Sequence, residues 1–213
     1  MCAVVEGDTD AIDLLLGAGA DLEARSPAGE TALMLAVLPG FDSSLQDAEV
    51  DEQVRAEVGD EADQTAVDHL LNQAFRQLLA AGADVNAADR EANTPLLKAI
   101  LECRGDLAEA LLAAGADPDQ RNRQRVTPLL AACHTGDLRV LAALLRVGAN
   151  PRQQTEDGLT GLMVAAGRGH GDVVEALLAA GADPAALGPE GQTARDLAAA
   201  EGHEEAVRIL DER

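Results

Sequence analysis

A chain of 213 residues that is 47% hydrophobic has enough apolar surface to bury a sizeable core in one or two domains. Its 16 basic and 38 acidic residues leave a net charge of −22, which argues against duplex nucleic acid and anionic membranes as partners and favours a basic protein. No apolar run reaches the ~20 residues that span a bilayer, and the chain opens with no charged-then-apolar leader.

In chain order, the first recurring string is Leu15-Leu16-Gly17-Ala18-Gly19-Ala20-Asp21. Thr31 then opens a short apolar run, Leu33 to Leu38, which Pro39-Gly40 breaks. Residues 42–63 carry nine acids against the single base Arg55. Leu45, Val50, Val54 and Val58 fall mostly four apart, which predicts a short amphipathic helix over about 45–58. A longer helical stripe follows through Val67, Leu70, Leu71, Ala74, Phe75, Leu78 and Leu79. It predicts a helix capped near Asp63 or Thr65 and extended backward by about two turns relative to its counterparts.

From there the chain is periodic. Leu-Leu-x-x-Gly-Ala-Asp/Asn recurs with glycines at Gly82, Gly115, Gly148 and Gly181, 33 residues apart; the step from Gly19 to Gly82 is 63, one period plus 30 extra residues. Thr31, Thr94, Thr127, Thr160 and Thr193 keep the same register. Each threonine is placed to cap a short helix, and Pro95 and Pro128 add proline at the first helical position. Ala165 and Ala166 allow close helix approach, and Val173, Val174, Leu177 and Leu178 form the apolar face of a second helix. Gly181 is its left-handed cap, and the polar stretch Asp183 to Gln192 leads to the next threonine. One such unit cannot bury its own apolar face, but a stack can.

These threonine-led, 33-residue units resemble the ankyrin-repeat family, whose signature is T-P-L-H-x-A. The resemblance implies an all-α solenoid of helix–loop–helix units with β-hairpin fingers and a concave recognition surface. As a single domain it would comprise units at about 1–25, 26–88, 89–121, 122–154, 155–187 and 188–213, with an acidic insertion at about 39–64.

The departures are specific. Met34, Leu97, Leu130, Met163 and Asp196 stand where the signature histidine belongs. The finger glycine, present at Gly29, Gly158 and Gly191, is replaced by Ala92 and Arg125, so altered turns are expected there. Arg195 stands where a buried leucine belongs, as in a polar terminal cap. Met1 falls at the position of the signature histidine, so the opening helix lacks its threonine, and either that end frays or the natural chain starts earlier.

The resemblance carries recognition to finger tips and the ends of first helices. By register these include Arg90, Glu91, Asn93, Glu102, Arg123, His134, Glu156, Asp157 and Arg168. Arg121 and Arg125 join them, because strand-like alternation would turn Arg121, Arg123 and Arg125 to one side to grip carboxylates. The insertion offers Asp47, Glu49, Asp51 and Glu52 to a cationic partner. A calcium loop is the alternative there, but Glu52 stands where an EF-hand needs glycine.

No catalytic fingerprint is present, and no cofactor is expected. His170 and His203 hold one position in adjacent units, ~10 Å apart by helix packing and too far for shared metal ligation. Cys2, Cys103 and Cys133 are odd in number and lack CxxC spacing, which fits a reducing, cytoplasmic compartment. Fifteen arginines to one lysine, with abundant alanine and glycine, point to a GC-rich bacterial source. With no Trp or Tyr there is no stacking platform for single-stranded nucleic acid. The expected function is a monomeric, non-catalytic protein-binding module, adaptor or inhibitor of a basic partner. The alternatives are a structural or regulatory segment of a longer chain, and a calcium-responsive binder.

Overall fold

The structure is a computed structural model that describes residues 1–5, 8–38, 62–155 and 157–212. They fall into two compact units, Met1–Arg90 and Glu91–Arg213. The first holds α1 (Cys2–Val5), α2 (Thr9–Gly17), α3 (Ala32–Val37) and α4 (Ala62–Ala80). The second holds α5 (Pro95–Leu101), α6 (Gly105–Ala113), α7 (Pro128–Thr135), α8 (Leu138–Arg146), α9 (Gly161–Arg168), α10 (Gly171–Ala179), α11 (Ala194–Ala200) and α12 (Glu204–Asp211).

Local chemistry explains each boundary. The side-chain oxygens of Thr31, Thr94, Thr127, Thr160 and Thr193 accept from the backbone N–H three residues on, at 3.2–3.5 Å, so every predicted threonine cap forms. Four of these threonines are buried, which makes the bond obligatory rather than optional. At the far end of each second helix the glycine closes a Schellman pair: Gly181 N–H donates to the Leu178 carbonyl and Ala182 N–H to that of Leu177. The Asp or Asn of the same motif then turns the chain. Asp21, Asp84, Asp117, Asn150 and Asp183 each accept from the backbone N–H two residues on, at 2.9–3.0 Å.

In the second unit the helices stack in two rows. First helices α5, α7, α9 and α11 pack each on the next, as do second helices α6, α8, α10 and α12, and each unit's pair also packs together. This is the repeat solenoid, its core supplied by residues such as Leu96, Leu97, Leu129, Leu141, Leu144, Leu162, Val173 and Leu177. Each fully buried Leu or Val contributes about 1.5–3 kcal/mol through burial alone. The last pair ends on polar chemistry, as expected. Arg195 reaches Asp211 with a two-pronged ion pair, and Asp196 accepts from Thr193 N–H at 2.9 Å to complete a capping box. These hydrogen bonds hold the carboxyls of Asp196 and Asp211 below the usual aspartate range.

In the first unit α4 packs on α1, α2 and α3 and buries Leu71, Ala74, Phe75 and Leu78. It is 19 residues long, against nine in α6, α8 and α10. The backward extension is therefore longer than two turns, and it begins at Ala62, before either expected cap. The proposed helix at 45–58 lies outside the described residues.

One expectation needs correction. The β-hairpin fingers are tight turns: among the described residues a single bridge, Gln154 to Thr160, is all that forms of a ladder. Pairing stops after that one bridge because the residue on its far side, Thr160, already caps the next helix.

Candidate functional site

The turns before the threonines share one construction, read most clearly at 122–126. Arg125 N–H donates to the Asn122 carbonyl at 2.9 Å, and Asn122 N–H donates to the Val126 carbonyl at 3.2 Å. The Asn122 side-chain oxygen accepts from Val126 N–H at 2.9 Å. This is a three-residue loop whose last residue is left-handed. Residues 26–30 and 155–159 repeat the pattern with Ser26 and Thr155 in the role of Asn122.

The left-handed residue is Gly29, Gly158 or Gly191 in three turns, and Ala92 or Arg125, both at φ 61°, in the other two. The turns expected to change at Ala92 and Arg125 have kept the left-handed conformation. The closing bonds at 122–126 impose it, although a residue with a Cβ is strained there by about 1–2 kcal/mol.

Turn geometry also corrects the arginine alternation. Residues 122–125 form a turn rather than an extended strand, so Arg121, Arg123 and Arg125 are set by corners and not by a strand face. All three are exposed. Asn122, which sequence reasoning missed, is buried and donates through Nδ2 to Asn93 Oδ1 at 2.9 Å, tying this turn to the preceding one. Arg123 N–H reinforces the tie by donating to the Glu91 carbonyl at 2.9 Å. The available signal was the short oxygen-bearing residue at the same register, Ser26, Asn122 or Thr155. Asn122→Ala is expected to destabilise the second unit by about 2 kcal/mol in urea unfolding, because it strips bonds from Val126 N–H and Asn93 together.

The other candidates sit as follows. Arg90, Glu91 and Asp157 are exposed turn residues, and Asn93 is half-buried with its oxygen already engaged. Glu102 caps the end of α5, His134 lies in the last turn of α7, and Arg168 ends α9; all three are exposed. Glu156, Asp47, Glu49, Asp51 and Glu52 lie outside the described residues.

At the helix ends a histidine ladder replaces the metal chemistry considered above. His170 Nε2 lies 3.2 Å from the His134 carbonyl, and His203 Nε2 lies 3.1 Å from that of Gly167. A carbonyl only accepts, so Nε2 carries the proton in both rings. Among the described residues no group of His, Cys, Asp or Glu is arranged to hold a metal ion. Cys133 is buried, and burial pushes its thiol up to about 12, which makes it core rather than nucleophile.

His134 is held below its ordinary value of 6.5, first by partial desolvation and then by the charges of Arg168 and His170. Its protonation is thus disfavoured in the fold, so its contribution to stability is full above the ordinary value and declines as pH falls through it. Proton NMR is expected to show a depressed His134 midpoint that rises in Arg168→Ala.

Comparison with family models matches the description "Ankyrin repeats (3 copies)" over residues 1–122, 64–154 and 129–212, which together span nearly the whole chain. Comparison with curated proteins finds no match. Among the described residues no helix is long and apolar enough to cross a membrane.

Proposed function

The chain belongs to the ankyrin-repeat family, and from that premise we propose that it is a non-catalytic protein-binding module, an adaptor or inhibitor acting on one partner protein. Repeats of this family generally mediate protein–protein interaction. The observation that carries the reading is the division of labour in the turns. Their backbones are closed by internal hydrogen bonds, while Arg121, Arg123, Gln124, Arg125 and Asp157 project exposed side chains. A surface whose backbone is already ordered loses little further entropy on binding.

The charge distribution supports a partner of net positive charge. Residues 1–90 hold 19 acids against four bases, and residues 91–213 hold 19 against twelve. That field would speed encounter with a basic protein and make association sensitive to salt. Free Cys103 and Cys133 suit a reducing, cytoplasmic setting. The calcium alternative rests on Asp47, Glu49 and Asp51, outside the described residues.

The test is site-specific photo-crosslinking in cells. A crosslinker is placed at Asp157 or Arg168 on the turn and helix-end face, and at Arg146 or Glu175 on the second-helix row. The reading expects a discrete protein adduct from the first pair and none from the second. Adducts from the second pair alone, or from neither, would overturn it.

A further inference from the structure

Several exposed arginines of the second unit are engaged within the stack. Arg139 pairs with Glu109 at 2.9 Å, Arg152 donates to the Gly181 carbonyl at 2.6 Å, and Arg195 is held by Asp211. These arginines tie the stack to itself. Arg121 and Arg123, like Arg146, Arg168 and Arg208, engage no carboxylate or carbonyl through their side chains among the described residues, and of these only Arg121 and Arg123 stand together on one turn. They flank Asn122, the buried residue that locks the turn to its predecessor.

Arg125 adds an independent observation. It occupies the left-handed corner that glycine fills at Gly29, Gly158 and Gly191, so an arginine stands where the backbone prefers no side chain. Strained residues that the surroundings over-determine concentrate at binding and switch sites. Here the strained corner carries an exposed cation on a turn closed by its own hydrogen bonds. Ala92 has the same backbone without the charge, which makes it an internal control for the strain alone.

We propose that the turn 121–125 is a docking site for a carboxylate-rich peptide segment of a partner protein, gripped by Arg121, Arg123 and Arg125. This inference rests on the protein-binding reading and names the chemistry of its contact. Guanidinium forks match carboxylates bidentately, and a turn whose backbone is already fixed at Asn122 loses little further backbone entropy on binding. A peptide is favoured over single-stranded RNA because no Phe, Tyr or Trp stands in the second unit to stack bases. A partner that is basic overall and carries an acidic segment satisfies both the long-range field and the local contact.

The probe is a fluorescein-labelled poly-glutamate peptide, measured by anisotropy at about 0.15 M salt, with a length-matched poly-glutamine peptide and a single-stranded RNA oligonucleotide as comparisons. Poly-glutamate is expected to bind in preference to both. Arg121→Ala with Arg123→Ala should weaken it about tenfold. Arg125→Gly should weaken it several-fold while the unfolding midpoint stays the same or rises, because glycine relaxes the corner. Ala92→Gly should shift stability in the same direction and leave binding unchanged. Absent poly-glutamate binding, binding indifferent to all three arginines, or tighter binding of the RNA would each overturn the proposal. If the crosslinked protein partner is still captured in those cases, the protein-binding reading stands and only the acidic-segment chemistry fails.

Discussion

Gly169→Ala is expected to destabilise the second unit by about 3 kcal/mol in urea unfolding followed by far-ultraviolet circular dichroism. Two separate effects act at this residue. Its φ of 78° lies in the left-handed region, where a Cβ is disfavoured by about 1–2 kcal/mol. An added Cβ would also stand 2.6 Å from Nδ1 of His203, inside any permitted contact distance. The ring must move, and the bond from its Nε2 to the Gly167 carbonyl goes with it, a further loss of about 1 kcal/mol. Combining Gly169→Ala with His203→Ala removes the collision but not the backbone strain, so it should recover only part of the loss. The same register explains Cys103. It is left-handed at φ 56°, yet the next unit places Asp137 rather than a histidine ring at the facing position. Glycine was therefore needed at Gly136 and Gly169, where an added Cβ would strike a ring, and was dispensable at Cys103. Cys103→Gly should relieve strain and leave stability equal or slightly higher.

Phe75→Ala is expected to destabilise the first unit by about 4 kcal/mol. Phe75 is fully buried on α4, the helix that packs on α1, α2 and α3, with Leu33, Met34 and Val37 of α3 also buried. The chain lacks Trp and Tyr, so circular dichroism rather than fluorescence reads the change. Phe75→Leu, which keeps most of the volume, should cost about 1 kcal/mol; an equal loss for both would mean the ring is not packed as described.

Most of the fold was legible because periodic residues do local jobs. Thr94 or Thr160 caps its helix wherever it stands, and Gly181 ends one for reasons contained within six residues. What escaped was chemistry that changes identity while keeping its role. Ser26, Asn122 and Thr155 close equivalent turns, and a search for one repeated letter passes over them. The turns at Ala92 and Arg125 were misjudged for the opposite reason. The absence of glycine suggested a new conformation, whereas closure of the surrounding bonds held the old one in place, as Arg125 N–H to Asn122 shows. The arginine grouping was visible, but the fine placement of Arg121, Arg123 and Arg125 depends on that turn and could not follow from strand alternation.

The same turns frame the central claim, that the turn and helix-end face of the second unit binds a protein partner. Amide hydrogen exchange of the chain, alone and with the crosslink-identified partner, tests it most directly. The account predicts added protection at residues 123–126, 134–136, 157–159 and 167–169, with α8 and α10 unchanged. Protection confined to α8 and α10, with the turns exchanging as before, would contradict it.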